Sequence, residues 1–143
     1  MPGLIKVAMD DVTASTRLGG TIRPMLTPAS VGARTGFLGT MTLEPGEFVA
    51  EHSHPYSEEF VFVVRGAVLV RIDGEELTVE GNEAVLVPRS GAHRYENRSA
   101  ETAVLVFQIA PLAPSPEEGH IELEAPVSPD AAPPVVGKPA VGK

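Results

Sequence analysis

The chain has 143 residues, which is enough for one domain with a substantial buried core. Its 11 lysine and arginine residues against 19 aspartate and glutamate residues give a net charge of −8, which excludes nucleic acid and anionic membranes as expected partners. It has no cysteine, so thiolate catalysis, disulfides and cysteine-bound zinc are excluded. The N-terminus has no apolar secretion signal and the apolar runs are too short to span a membrane, so we expect a soluble, cytoplasmic protein.

Short runs of valine, isoleucine, leucine and phenylalanine recur between proline, glycine, asparagine and aspartate, a pattern typical of a sandwich or barrel of short strands. The sequence therefore predicts an all-β fold with little helix. The predicted strands are residues 4–8, 21–26, 36–43, 47–54, 59–65, 67–72, 76–79, 84–87, 93–97 and 102–109. Asp73-Gly74 and Pro45-Gly46 are predicted to form tight turns between neighbouring strands.

The domain organisation follows from composition. Residues 1–125 are predicted to form one domain, whereas residues 126–143 are rich in proline and alanine and have the composition of a linker or tail. The predicted strand 59–65 is apolar on both faces, so its outer face needs cover from an N-terminal strand or from a second subunit. We therefore expect a homodimer, with the tail resting on a surface that a neighbouring subunit could supply.

Candidate metal ligands occupy two predicted strands. Side chains alternate between the faces of a strand, so Phe48, Ala50, His52 and His54 are expected to share one face, with the two imidazoles about 7 Å apart. His93 lies on another predicted strand and is followed on the same face by Tyr95 and Asn97. Three imidazoles with a nearby carboxylate suit a first-row divalent metal such as zinc, iron, manganese or nickel.

Apolar side chains on the same inward faces could form either plain core or the wall of a pocket. We predict that they line a substrate pocket, and the candidates are Phe37, Met41, Phe48 and Phe107. Tyr95 is a candidate catalytic residue. The alternative is that Tyr95 is a core aromatic whose hydroxyl has a hydrogen-bond partner.

The spacing of several residues resembles the two sequence motifs of the cupin family. The residues that match the first motif are Gly46, His52, His54, Glu59 and Gly66, and those that match the second are Gly81, Pro88, His93 and Asn97. The resemblance implies a jelly-roll β-sandwich with a metal inside the barrel. It also implies His52, His54 and His93 as ligands, usually joined by Glu59.

A narrower resemblance covers residues 20–124. The stretches HPYSEEF and PLAPSPEEGHIELE are similar to those of the small single-domain cupins of bacterial aromatic polyketide and spore-pigment pathways, which include the resistomycin-type cyclases. This resemblance implies a role in folding or modifying a poly-β-ketone chain, free or bound to an acyl carrier protein.

The leading hypothesis is a metal-dependent polyketide cyclase that closes an aromatic ring by an aldol-type reaction and loss of water. The metal would polarise a β-diketone, Glu59 or a metal-bound hydroxide would remove a proton, and Tyr95 would donate to the departing oxygen. Zinc is the expected metal. Either Glu59 or His120 could be the fourth ligand, and His120 could instead be a solvent-facing residue.

Two alternatives use the same site differently. With a redox-active metal, the barrel could act as an oxygenase on an enol or phenol. A bound zinc ion would exclude this activity, because zinc has no redox chemistry. The third hypothesis is a non-catalytic domain that contains a metal and binds a small molecule.

Overall fold

The computed structural model describes residues 3–139, and the regular secondary structure in this part of the chain is almost entirely β-strand. A 3₁₀ helix spans Met9–Asp11, and one short helix, α1, spans Pro28–Val31. The strands are β1 (Thr21–Leu26), β2 (Phe37–Leu43), β3 (Phe48–Ser53), β4 (Glu58–Arg65), β5 (Ala67–Ile72), β6 (Glu75–Glu80), β7 (Ala84–Val87), β8 (His93–Glu96), β9 (Ala103–Ala110) and β10 (Ile121–Glu122). The all-β prediction is confirmed.

The strands form two antiparallel sheets that face one another. Sheet I has five strands in the order β1-β2-β9-β4-β7, and sheet II has five in the order β10-β3-β8-β5-β6. Aliphatic side chains from both sheets fill the space between them, including the fully buried Leu43, Val63, Val70 and Leu105. This arrangement is a β-sandwich of jelly-roll type, whose inner faces carry both the core and the candidate site.

The two predicted turns are present. Asp73 and Gly74 both have positive φ, 50° and 85°, and join β5 to β6, as a tight primed hairpin turn requires. Gly46, with φ of 86°, follows Pro45 in the connection between β2 and β3. Turn chemistry therefore predicted both connections correctly.

The predicted strand at residues 4–8 is wrong. These residues pair with no strand in the described part of the chain, and the Leu4 side chain is fully exposed. The outer face of β4 is consequently uncovered, with Phe60, Phe62 and Val64 between 43% and 45% exposed. Apolar composition alone did not produce a strand, because a strand also needs a partner for its backbone hydrogen bonds.

A β-bulge in β3 changes which side chains face the interior. Val49 lies opposite Tyr95, and His52 lies opposite His93. Two residues separate Val49 from His52 on β3, whereas only one separates His93 from Tyr95 on β8. The extra residue reverses the alternation. Val49 and His52 therefore both point inward, and the prediction that Phe48 shares the face of His52 is wrong.

The tail lies against its own chain. Within the described residues 126–139, the amide of Ser128 donates to the carbonyl of Arg17 (3.0 Å), and the amide of Ala29 donates to the carbonyl of Val136 (2.9 Å). The tail thus has a surface within the same subunit, although its composition is that of a linker. No helix within residues 3–139 has the length and apolar character needed to cross a membrane.

Candidate metal centre

Four buried side chains converge between the two sheets. One potential ligand atom from each of His52, His54, Glu59 and His93 lies within 4.8 Å of the others. The histidines come from sheet II and its β3–β4 connection, whereas Glu59 reaches in from β4 of sheet I. The structure therefore brings together the imidazoles and the carboxylate that the sequence predicted as a group.

Backbone carbonyls orient the three imidazole rings. The Nδ1 atoms of His52, His54 and His93 lie 2.7, 3.0 and 2.8 Å from the carbonyl oxygens of Ala50, Gly119 and Gly91, respectively. A carbonyl only accepts hydrogen bonds, so Nδ1 carries a proton in each ring. This leaves the three Nε2 atoms to face the cluster, an orientation that is usual for metal-bound histidine.

Glu59 uses both carboxylate oxygens. Its Oε1 lies 3.1 Å from Nε2 of His54 and 3.5 Å from Nε2 of His93, while its Oε2 accepts a hydrogen bond from the Tyr95 hydroxyl. Glu59 is 3% exposed and Tyr95 is fully buried. The carboxylate is thus fixed between two imidazoles on one side and a phenol on the other.

Burial and mutual charge set the protonation of the cluster. Burial lowers the pKa of His52 well below its usual value, and the nearby His93 adds to this effect. Burial alone would raise the pKa of Glu59, but the positive charge of His93 and the hydrogen bond from His54 hold it well below its usual value. Burial would lower the pKa of His93, but the Glu59 carboxylate raises it instead.

These features fit a divalent metal. The Nε2 atom of His93 is buried without a hydrogen-bond partner, since its contact with Glu59 at 3.5 Å is an ion-pair contact only. Buried polar atoms without partners are rare in native proteins. A cluster of imidazole nitrogens around one carboxylate is also a donor set that suits first-row metals, so the orphaned nitrogen and the donor chemistry point to the same kind of ligand.

His120 lies beside this cluster but outside the group of four. Its ring centroid is 4.7 Å from that of His52 in a stacked arrangement and 5.6 Å from that of His54. Burial, followed by the charge of His54, lowers the pKa of His120 to about 4. The segment before β10 therefore brings a neutral fourth imidazole to the site.

The cluster opens onto a largely apolar cavity of about 590 Å³. Of the four predicted pocket residues, Phe37, Met41 and Phe107 line this cavity. Phe48 does not line it, because the bulge turns its side chain to the other face of β3, where the Arg94 guanidinium lies 4.1 Å from the ring centre. Glu59, Tyr95 and His120 also line the cavity.

Several lining residues were missed in the sequence. They include Leu18, Ile22 and Val49 from the barrel and Pro133, Pro134 and Val136 from the tail. The run PPVV at 133–136 was the available signal for the tail, because a solvated linker does not require adjacent apolar residues. Nothing in the spacing around Val49 indicated the bulge.

The fold and the geometry of the candidate site are typical of a cupin. The model of the family described as "Cupin domain" matches residues 39–109, which include His52, His54, Glu59 and His93. The chain belongs to the cupin family.

Several of its relatives come from Streptomyces species. The tetracenomycin polyketide synthase protein TcmJ of Streptomyces glaucescens is 51% identical over 132 residues, which cover 92% of this chain and 89% of TcmJ. The polyketide synthase CurC of Streptomyces cyaneus is 42% identical over 124 residues, covering 87% of this chain and 80% of CurC. The chain is therefore a cupin related to polyketide pathway proteins.

A solved structure agrees with the fold. The polyketide cyclase RemF from Streptomyces resistomycificus superposes with a TM-score of 0.69 at 18% identity, covering 89% of this chain and 90% of that one. At this identity the likeness shows that the two proteins share a jelly-roll fold.

Proposed function

We propose that this protein is a metal-dependent aromatic polyketide cyclase, which promotes intramolecular aldol-type ring closure and dehydration of a poly-β-ketone. The observation that carries the proposal is the position of the imidazole–carboxylate cluster in the wall of a largely apolar cavity. Such a cavity suits a long, neutral chain whose only polar groups are carbonyls. The relatives named for polyketide synthases support the same substrate class.

The metal would be held by His52, His54 and His93, with His120 as the proposed fourth ligand. When bound, a divalent ion, which we propose is zinc, would polarise a β-dicarbonyl and make the methylene between the carbonyls more acidic. Imidazole donors suit zinc as well as iron and nickel, and elemental analysis would distinguish zinc from iron, manganese or nickel.

Glu59 is the proposed base. Its carboxylate lines the cavity, where a substrate carbon can reach it. The carboxylate takes a proton from the methylene, and the resulting carbanion forms a carbon–carbon bond to a second carbonyl carbon of the same chain. That carbonyl oxygen takes up a proton, and loss of a neighbouring proton together with the hydroxyl group then releases water.

Tyr95 is proposed first as a positioning residue. Burial raises the pKa of its phenol well above the usual value, and the Glu59 charge raises it further, so the hydroxyl remains a donor. It donates to Glu59 and therefore directs the other carboxylate oxygen towards His54. Donation to the departing oxygen, which the sequence predicted, would require this hydrogen bond to break.

The cavity walls are proposed to fold the substrate. A volume of about 590 Å³ lies within the usual range for small-molecule sites. Phe37 and Phe107 meet edge to face, with ring centroids 5.9 Å apart, and provide a rigid apolar wall. A flexible chain held against this wall would bring the reacting carbons together, which accounts for much of the rate gain in intramolecular reactions.

The proposal can be tested with zinc-loaded protein and a poly-β-ketone generated by a minimal polyketide synthase. We expect faster formation of one cyclised, dehydrated product, with no oxygen uptake on an oxygen electrode, and metal-stripped protein should lack this effect. Oxygen consumption in step with product formation would instead favour an oxygenase. The same product mixture with and without protein would contradict any catalytic role.

A further inference from the structure

Residues 126–139, here called the strap, lie against the segment before β1 and against α1, and they form part of the cavity wall. Pro133, Pro134, Val136 and Gly137 line the cavity together with side chains of the barrel. We infer that the strap closes the cavity over a bound apolar polycyclic ligand and controls the rate at which that ligand leaves. The inference rests on the proposed function only for the class of ligand.

Arg17 holds the first half of the strap. Its Nη1 donates to the carbonyl of Pro129 at 2.5 Å and to that of Ala131 at 3.4 Å, while its own carbonyl accepts from the amide of Ser128 at 3.0 Å. Its Nε also pairs with Glu122 of β10 at 3.2 Å. One side chain thus ties the strap to the segment before β1 and to the edge of sheet II.

The strap is held at two further points, Ala132 and Val136. The Ser15 hydroxyl donates to the carbonyl of Ala132 at 2.7 Å, and the Ala29 amide at the start of α1 donates to the carbonyl of Val136 at 2.9 Å. Next to the latter contact, Gly137 has φ of 84° and lies so close to α1 that a Cβ atom there would be 2.8 Å from Ala29 Cβ and 2.9 Å from its nitrogen. The absence of a side chain at Gly137 therefore lets the strap lie against α1.

The composition of the strap suits a part that detaches as a unit. Five of its residues are proline, which fixes φ and has no backbone N–H, so the segment is stiff and cannot form a regular strand ladder. A few separate hydrogen bonds hold it instead, and each contributes little net stability in water. Opening the cavity at the strap would leave the sheets intact.

The chemistry of the strap also indicates what it covers. The strap presents two proline rings and Val136 to the cavity, whereas the groups that can recognise carbonyl oxygens come from the barrel. Its inner face therefore suits the apolar face of a ring system. Closure over such a ligand buries apolar surface on both sides, which slows dissociation.

The test is Gly137→Ala in the full chain, with Gly74→Ala as the matched control. Gly74 has nearly the same φ, 85°, but a Cβ atom added there would meet no other atom within 4 Å, so the control carries the same backbone strain without a clash. The probe is emodin, a coloured tricyclic polyphenol, and its release is followed by stopped-flow fluorescence. We expect release about tenfold faster from Gly137→Ala, as loss of strap contacts would give, and unchanged release from Gly74→Ala.

A second variant keeps the test valid if Gly137→Ala does not fold. Ser15→Ala removes the contact with Ala132 and should also speed release, and the thermal melting of all three variants verifies that they fold. Equal release rates in wild type, Gly137→Ala and Ser15→Ala would overturn the strap inference while leaving the proposed function in place. Failure of wild-type protein to bind emodin would instead count against the proposed ligand class and against closure over it.

Discussion

The Tyr95 hydroxyl on β8 donates a hydrogen bond to Oε2 of Glu59 on β4, so a phenol from sheet II fixes a carboxylate from sheet I. Both groups are buried, and the pair links the two sheets beside the imidazole cluster. A buried carboxylate that loses a donor is left with an unpaired oxygen, which is costly. The pair therefore connects the stability of the site to the orientation of the proposed base.

Replacing Tyr95 with phenylalanine tests this connection. The ring and its packing remain, but the donor to Glu59 is lost, and we expect turnover to fall about 10- to 100-fold with metal content unchanged. Turnover, KM and metal content should be measured on the same preparation. Tyr56→Phe is the matched control, because Tyr56 is 39% exposed and its hydroxyl should not affect the site. Equal turnover in the two variants would exclude a role for the Tyr95 hydroxyl.

Replacing Glu59 with glutamine tests the base itself. Glutamine keeps the shape of the side chain but cannot accept a proton at neutral pH, so ring closure of a poly-β-ketone should slow about 10- to 100-fold. Metal content should be retained if Glu59 is not a ligand. Glu58→Gln is the control, since the neighbouring side chain faces the opposite side of β4. Unchanged turnover in Glu59→Gln would remove the base role, and loss of metal would show that Glu59 is a ligand.

The sequence predicted most of the strands because each is bounded by turn residues and paired with a neighbour. The predicted bounds of β1, β5 and β7 agree with the structure, and those of β2, β3, β4, β6, β8 and β9 differ by one residue at one or both ends. The short β10 was not among the predicted strands. The segment 4–8 has similar composition but no partner strand in the described chain. Local pattern therefore predicted where strands can form, while pairing decided which of them do.

The sequence motif predicted the ligand group but not the path of the chain around it. Strict alternation along β3 would place Val49 and His52 on opposite faces, yet the bulge points both inward. A bulge depends on the register with β8, which residue order alone does not reveal. The position of the strap likewise depends on contacts with Arg17 and Ser15, more than a hundred residues away in the sequence.

We propose that a second copy of the chain covers the outer face of sheet I. Phe60, Phe62 and Leu86 are 43–46% exposed there, and the strand register places them beside one another. Leu4 and Ile5 are exposed as well, at 107% and 55%. One copy thus has both an uncovered apolar face and an apolar arm, and two copies related by a twofold axis can cover each other's face.

The dimer is tested by light scattering across micromolar concentrations. We expect wild-type protein at twice the 15.0 kDa mass of one chain, and Phe62→Lys at the mass of one chain. Leu77→Lys is the control, because Leu77 is 46% exposed on β6 of the other sheet and should leave the dimer intact. Wild-type protein at 15.0 kDa throughout this range would contradict the proposal.

Replacing His120 with alanine tests whether this residue is the fourth ligand. Its low pKa, about 4, keeps the imidazole neutral at pH 7, and its ring lies next to those of His52 and His54. We expect metal affinity, measured by competition with a chelator, to fall at least about tenfold. Ile121→Ala is the control, since Ile121 is adjacent and 46% exposed.

The results for His120 and Glu59 together define the charge of the site. Four neutral imidazoles would leave the full double charge of a zinc ion to polarise a dicarbonyl, whereas a ligating carboxylate would cancel part of it. Loss of metal in His120→Ala with retention in Glu59→Gln would therefore show that four imidazoles hold the metal. This site is the stronger Lewis acid, and it leaves Glu59 free as the base. The opposite result, retention in His120→Ala and loss in Glu59→Gln, would make Glu59 the fourth ligand. The base for ring closure would then have to be sought elsewhere in the cavity.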